Sequence, residues 1–193
     1  MILHHYSMLI HLPPICRDGL SRGDIAHHDS RVLHQAVSLT TQADPDRLRC
    51  WGSAPSPQNA AVRYVCRLPD GDAALEPALD TWRRLGVRPA FLKACNPNGQ
   101  AKWWYFYFGV IPPESFTVEL RGRDGYVPVA GPDLARVAAE VGADRDKYDI
   151  SSPPQAPFLI YCTLKDEADP PARCLLGETH PAERLLAALT PAG

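Results

Sequence analysis

The order of short apolar segments constrains this chain most. Ile2 to Leu12 is long and apolar-rich and ends at Pro13-Pro14, which predicts a first, central strand. From about Leu20 to Leu39, Ile25, Val32, Leu33, Ala36 and Val37 recur at three- and four-residue spacing, which predicts a helix with its regular part beginning near Ser30. Asp44-Pro45-Asp46 is a turn signal, and strands are expected at Arg47 to Ser53 and Ala60 to Leu68. A second helix is expected from Ala73 to Leu85, stopped by Gly86, and a strand from Arg88 to Cys95. Strand, helix, strand, strand, helix, strand is the ferredoxin-like β-α-β-β-α-β order. The expected class is α+β, with that unit over residues 1–98 and a less regular α+β lobe over 99–193 packed on it.

The second half opens with Lys102 to Ile111, a strand by composition. A hairpin is expected from Phe116–Arg121 and Tyr126–Val129 around Arg123-Asp124-Gly125. Helices are expected at Pro132 to Val141 and Pro181 to Leu189, and a strand at Phe158 to Leu164.

No apolar run approaches the roughly 20 residues that span a bilayer. The start lacks a basic region and a small-residue cleavage site, so a cytoplasmic protein is expected. The six cysteines, at 16, 50, 66, 95, 162 and 174, form no CxxC pair and read as small buried hydrophobes in a reducing compartment. The net charge of −2 is unevenly placed: residues 1–111 carry 12 Lys/Arg against 9 Asp/Glu, residues 112–193 carry 8 against 13. Phosphate neutralisation supplies much of nucleic-acid affinity, so any RNA site belongs to the first half.

Two places carry candidate chemistry. On the expected first helix, His34 shares a face with His27 and with Ser30 or Arg31, away from the packing positions. A histidine there acts as a base near neutral pH or is a solvated residue of a polar face; spacing leaves both open. In Lys102-Trp103-Trp104-Tyr105-Phe106-Tyr107-Phe108, period two puts Trp104, Phe106 and Phe108 toward the core and Trp103, Tyr105 and Tyr107 outward. An exposed row beside Lys102 would stack bases or meet a protein partner; the other reading is a strand buried on both sides. The His-His pairs at 4–5 and 27–28 have no spacing that shares a metal, and no metal or cofactor is assigned.

Three stretches carry a family resemblance: Ile10-His11-Leu12-Pro13-Pro14-Ile15-Cys16, Arg31-Val32-Leu33-His34-Gln35-Ala36 and Asp46-Arg47-Leu48. Over the first half the chain resembles the repeat-processing endoribonuclease of type I-F CRISPR systems, a ferredoxin-like member of the RAMP superfamily. The resemblance implies a CRISPR-associated RNA-binding protein whose partners are repeat RNA or crRNA. It also implies that His34, on the first helix, acts on the ribose 2′-OH without metal, giving a 2′,3′-cyclic phosphate and a 5′-OH. Lys102 or a nearby arginine would then stabilise the phosphorane. The acidic second half, with no arginine-rich helix, favours a different role: a non-catalytic effector subunit, or an inhibitor imitating one, acting through protein–protein contacts. A small interaction or immunity-type protein on a common fold is the third reading.

Overall fold

The computed structural model describes residues 1–21, 23–26, 32–34, 36–48, 55–96, 99–151, 161–165 and 175–189. The chain is α+β, built on a seven-stranded antiparallel sheet with five α-helices among the described residues. β1 (Ile2–Ser7) lies at its centre, between β4 (Val37–Thr40) and β5 (Val62–Arg67). Outward from β5 come β8 (Phe116–Gly122) and its hairpin partner β9 (Gly125–Val129); outward from β4 come β7 (Trp104–Tyr107) and β6 (Leu75–Pro77). The order is therefore β6-β7-β4-β1-β5-β8-β9. Each edge strand holds a proline, Pro77 in β6 and Pro128 in β9, which removes a donor where another chain would pair.

Strict alternation sorts the two faces. Val62, Tyr64 and Cys66 of β5, with Phe116, Val118 and Leu120 of β8, point into the larger core with Leu3 and Leu39. That core is closed by α1 (Leu12–Asp18), α4 (Gly131–Arg145) and α5 (Pro181–Leu189) through Leu12, Val137, Val141, Ala182 and Leu185. On the opposite face, at the β4–β7–β6 end, α2 (Ala78–Arg84) and α3 (Pro89–Cys95) cover a second core of Ile25, Ala36, Ala78, Trp82, Val87, Ala101 and Phe106. Two small antiparallel pairs complete the fold: β2 (Asp24–Ala26) with β3 (Val32–His34), and β10 (Tyr148–Ser151) with β11 (Tyr161–Leu164).

Several expectations are corrected. Pro13 and Pro14 do not terminate a long strand; they occupy the first turn of α1, where a missing N–H costs nothing. α1 then ends at Gly19, whose φ of 82° favours glycine and whose missing Cβ lets the Ile111 carbonyl approach. No helix runs from Leu20 to Leu39; β2, β3 and β4 lie there instead. Val37 and Leu39 are buried in the main core while Ser38 and Thr40 take the other face, so period two prevails over the helical spacing. Ser30 lies outside the described residues. Arg88 to Cys95 is not a strand. Pro89 opens α3, and Phe91 and Leu92 pack against the second core.

The helix expected from Ala73 splits into β6 and a shorter α2, with Pro77 at the junction. At Arg47 the chain forms a 3-10 turn, Pro45–Arg47, and residues 49–54 lie outside the described set. The described elements thus do not follow the ferredoxin-like order: after α1 the chain returns to the sheet as β4, antiparallel to and directly beside β1. Nor is residue 98 a boundary in the sheet, because β7 pairs with β4 and β8 with β5 across it. The hairpin β8–β9 and the helices α4 and α5 lie where the sequence places them.

Candidate functional site

Residues 81–113 hold five of the 20 Lys/Arg and none of the 22 Asp/Glu: Arg83, Arg84, Arg88, Lys93 and Lys102. This acid-free stretch builds one end of the molecule. It runs from the second half of α2 through α3 and a 3-10 turn, Gln100–Trp103, into β7. Its Trp82, Val87, Ala101 and Phe106 join Ile25, Ala36 and Ala78 in the second core, where Trp82 meets Phe106 edge to face with centroids 5.8 Å apart, while Ile111 enters the main core. The 3-10 turn is fastened on three sides. The Ala101 amide donates to Asn96 Oδ1 (2.8 Å), Gln100 Nε2 donates to the Arg47 carbonyl (3.0 Å), and the Thr41 amide donates to the Trp103 carbonyl (2.9 Å). The turn is pinned and cations stay outside: Lys93 and Lys102 are exposed, and so are the apolar Phe108 and Val110.

The predicted aromatic row is divided. Lys102 and Trp103 belong to the 3-10 turn, with Lys102 Nζ 5.2 Å from the half-buried Trp103 ring. Tyr105 and Tyr107 share a face of β7 opposite Leu39 and Val37, half-buried against the main core. Tyr107 accommodates the tight Gly109 corner; its hydroxyl is pushed up, by burial first and then by Asp72. Of the set expected to face the core, Phe106 is buried and Trp104 half-buried, but Phe108 lies past the strand and is 37% exposed. The guanidinium of Arg84 sits 5.4 Å from the Phe108 ring. Glu76 holds Arg84 through Nε (3.2 Å) and Nη2 (2.8 Å) and accepts from Thr81 Oγ1 (3.0 Å); Arg83 pairs with Asp80 at 2.9 Å.

His34 is not on a helix. It ends β3, in register with Asp24, and its side chain lies outside the described set, as do His27 and Arg31. Two other histidines, His5 and His11, are packed into the fold. His5 Nδ1 bonds the Ser38 carbonyl at 2.9 Å, and burial pulls its pKa down. His11 is lowered by burial, then by His5 and Arg145. Cys66 is buried and Cys16 half-buried, both free thiols pushed up by burial to about 12 and about 11, so neither is a ready nucleophile.

Sequence reasoning missed a polar cluster on the sheet face opposite the main core. Arg63 pairs with Glu119 at 2.5 Å, donates to the Ala43 carbonyl and stacks 4.2 Å from the Tyr126 ring. Tyr6 donates to the Gln42 carbonyl (2.8 Å), with its pKa raised by burial to about 12, and Tyr126 donates to the Ala60 carbonyl (2.6 Å). These contacts tie Gln42, Ala43 and Ala60 to the sheet and leave Arg63 fully engaged. The Arg63–Glu119 and Tyr6–Arg63 cross-strand pairs were readable only once the register of β1, β5 and β8 was known.

Among the described residues, no three His, Cys, Asp or Glu side chains come together to hold a metal ion, and no helix is long and apolar enough to cross a membrane. Comparison with protein-family models, with curated proteins and with solved structures gives no match.

Proposed function

We propose that the chain is a CRISPR-associated RNA-binding protein that binds through the acid-free lobe of residues 81–113. One observation carries the reading. Residues 81–113 hold five cations and no carboxylate beside half-buried indoles; Asp80 and Glu76, just before the stretch, pair with Arg83 and Arg84, while Lys93 and Lys102 stay exposed. RNA affinity draws on phosphate neutralisation and on aromatic faces that take bases, and both are concentrated there. The CRISPR setting rests on the resemblance of the three sequence stretches, and the reading does not depend on a ferredoxin-like unit. Cleavage is a separate matter. The resemblance gives His34 its role from a first helix, and β3 occupies that place, so binding without cutting is the form of the proposal.

The test is fluorescence anisotropy of labelled CRISPR repeat RNA with the pure chain, followed by gel analysis of the same mixtures. Saturable binding with intact RNA is the expected result. A product ending in a 2′,3′-cyclic phosphate, lost in His34→Ala, would restore the endoribonuclease. Absence of binding would remove the RNA reading altogether.

A second reading has its own support. Most described arginines outside the lobe are held by acids: Arg17 by Asp18, Arg47 by Asp44, Arg121 by Asp46, Arg136 by Asp133 and Arg184 by Glu178. Such a mixed, self-paired surface suits a non-catalytic effector subunit, or an inhibitor imitating one, that docks on protein. Co-migration with a type I-F effector complex on gel filtration, without RNA binding by the isolated chain, is the result that would select it.

A further inference from the structure

We infer that His5, His11 and Arg145 form an anion site that takes a phosphoryl group. The site lies outside residues 81–113 and does not rest on the RNA-binding reading.

Three elements bring the side chains together. His5 shares the core face of β1 with Leu3, its ring 5.9 Å from that of Tyr64. His11 ends the 3-10 turn Leu9–His11, which packs on α4, and Arg145 is the last residue of α4. His11 is near enough to both His5 and Arg145 for their charges to lower its pKa. All three residues are half-buried, so solvent reaches the cluster.

Arg145 supplies the observation that asks for a ligand. Its Nε is buried without a hydrogen-bond partner, and no carboxylate pairs with its guanidinium among the described residues. A buried donor on a permanently charged group is costly to leave unmet. The carboxylates nearby serve other partners. On α4, Asp133 pairs with Arg136, Asp144 holds Lys147 and the Leu176 amide, and Glu140 acts on Arg184. On α1, Asp18 holds Arg17, while β4 and β5 contain no acid and present the Ser38 carbonyl and Tyr64. Three basic side chains with no carboxylate among them are complementary to an anion.

The nitrogens select the class of anion. His5 Nδ1 donates to the Ser38 carbonyl at 2.9 Å, because a carbonyl can only accept. The neutral ring therefore carries a lone pair at Nε2, the nitrogen left for a ligand. A carboxylate meets that lone pair as acceptor against acceptor. A phosphoryl group, with a second pKa of about 6, brings a proton to share with Nε2 and further oxygens for His11 and the Arg145 fork. Burial lowers the pKa of His5 and His11, and a bound anion favours their charged forms, so binding takes up protons and tightens as pH falls.

The experiment is isothermal titration with inorganic phosphate, and with acetate at equal ionic strength, at pH 8 and pH 6. The proteins are wild type, Arg145→Gln and His11→Gln, each checked by circular dichroism. A 12-nucleotide RNA with a 5′-phosphate or a 5′-hydroxyl offers the same chemistry from a second source. The expected result is saturable phosphate binding, about fivefold or more tighter at pH 6 than at pH 8, and about tenfold or more weaker in Arg145→Gln. A 5′-phosphate that tightens RNA binding assigns the site to an RNA end; phosphate binding with no difference between the two RNAs assigns it to the free ion. No phosphate binding up to about 10 mM together with no effect of the 5′-phosphate would overturn the inference. So would acetate binding as tightly as phosphate, or affinity within twofold of wild type in the folded variants. Equal phosphate affinity at pH 6 and pH 8, read on wild type alone, would overturn it even if both variants unfold.

Discussion

Removal of the Glu119 carboxylate is the sharpest test of how the polar face of the sheet is held together. Arg63 and Glu119 are cross-strand neighbours on β5 and β8, their nitrogen and oxygen 2.5 Å apart and their side chains only 16% and 14% exposed. An exposed pair is worth about 0–1 kcal/mol, but breaking a buried one costs about 3–5 kcal/mol because it strands the remaining charge. In Glu119→Ala the Arg63 guanidinium keeps the Ala43 carbonyl and the Tyr126 ring, so the cost should lie between those limits, at roughly 2–3 kcal/mol. At about 2–4 °C per kcal/mol for a chain this long, the melting temperature falls by roughly 4–12 °C. The double variant Arg63→Met with Glu119→Leu should recover most of the loss, since apolar groups of similar volume replace buried pairs at little cost. Urea titration of wild type, Arg63→Met, Glu119→Leu and the double gives the coupling directly, provided the m-value is unchanged. A loss below about 0.5 kcal/mol in Glu119→Ala, or a double variant as weak as the two singles added, would refute the assignment of this pair as buried and coupled.

Tyr64 is buried in the main core, and its hydroxyl has no hydrogen-bond partner among the described residues. Tyr64→Phe should therefore leave stability unchanged or raise it by about 1 kcal/mol, and a loss above about 1 kcal/mol on urea titration would show a partner for that hydroxyl. Acid should weaken the fold through His5 and His11, both lowered in the folded chain chiefly by burial. The unfolded chain then binds more protons below its histidine pKa near 6.5, so this stabilisation is complete above that pH and is lost as pH falls through the folded pKa values. The urea midpoint should drop between pH 7 and 5.5, and less so in His5→Gln; a midpoint that rises over that interval would contradict the burial of these rings.

What the sequence shows clearly is what local chemistry decides alone. Arg123-Asp124-Gly125 between alternating segments gives the β8–β9 hairpin, and the proline-led apolar repeats at Pro132 and Pro181 give α4 and α5. The central region misleads because its apolar residues satisfy two periods at once. Ile25, Ala36 and Val37 fit a helical stripe, yet Ile25 and Ala36 enter the second core and Val37 the first, a split that one helix face cannot make. Short runs such as Arg88 to Cys95 are ambiguous for the same reason, and Pro89 tips this one toward a helix start. Of the candidate site, Lys102 and Trp103 were visible as residue types, but their place in a 3-10 turn depends, beside the local Asn96 contact, on Thr41 and Arg47 contacts from distant sequence. Arg84 over Phe108 joins α2 to the end of β7, and no spacing rule announces it.

The salt dependence of RNA binding tests the central claim most directly. Each phosphate neutralised on a single strand contributes about −0.7 to the slope of log K against log salt, so two to three lobe cations predict a slope of roughly −1.4 to −2.1. Replacing Lys93 and Lys102 together by Ser should flatten that slope by about 1.4 while the thermal melt stays close to wild type, because both side chains are exposed. An equal slope in wild type and the double variant, or a wild-type slope shallower than about −0.5, would contradict phosphate binding at this lobe.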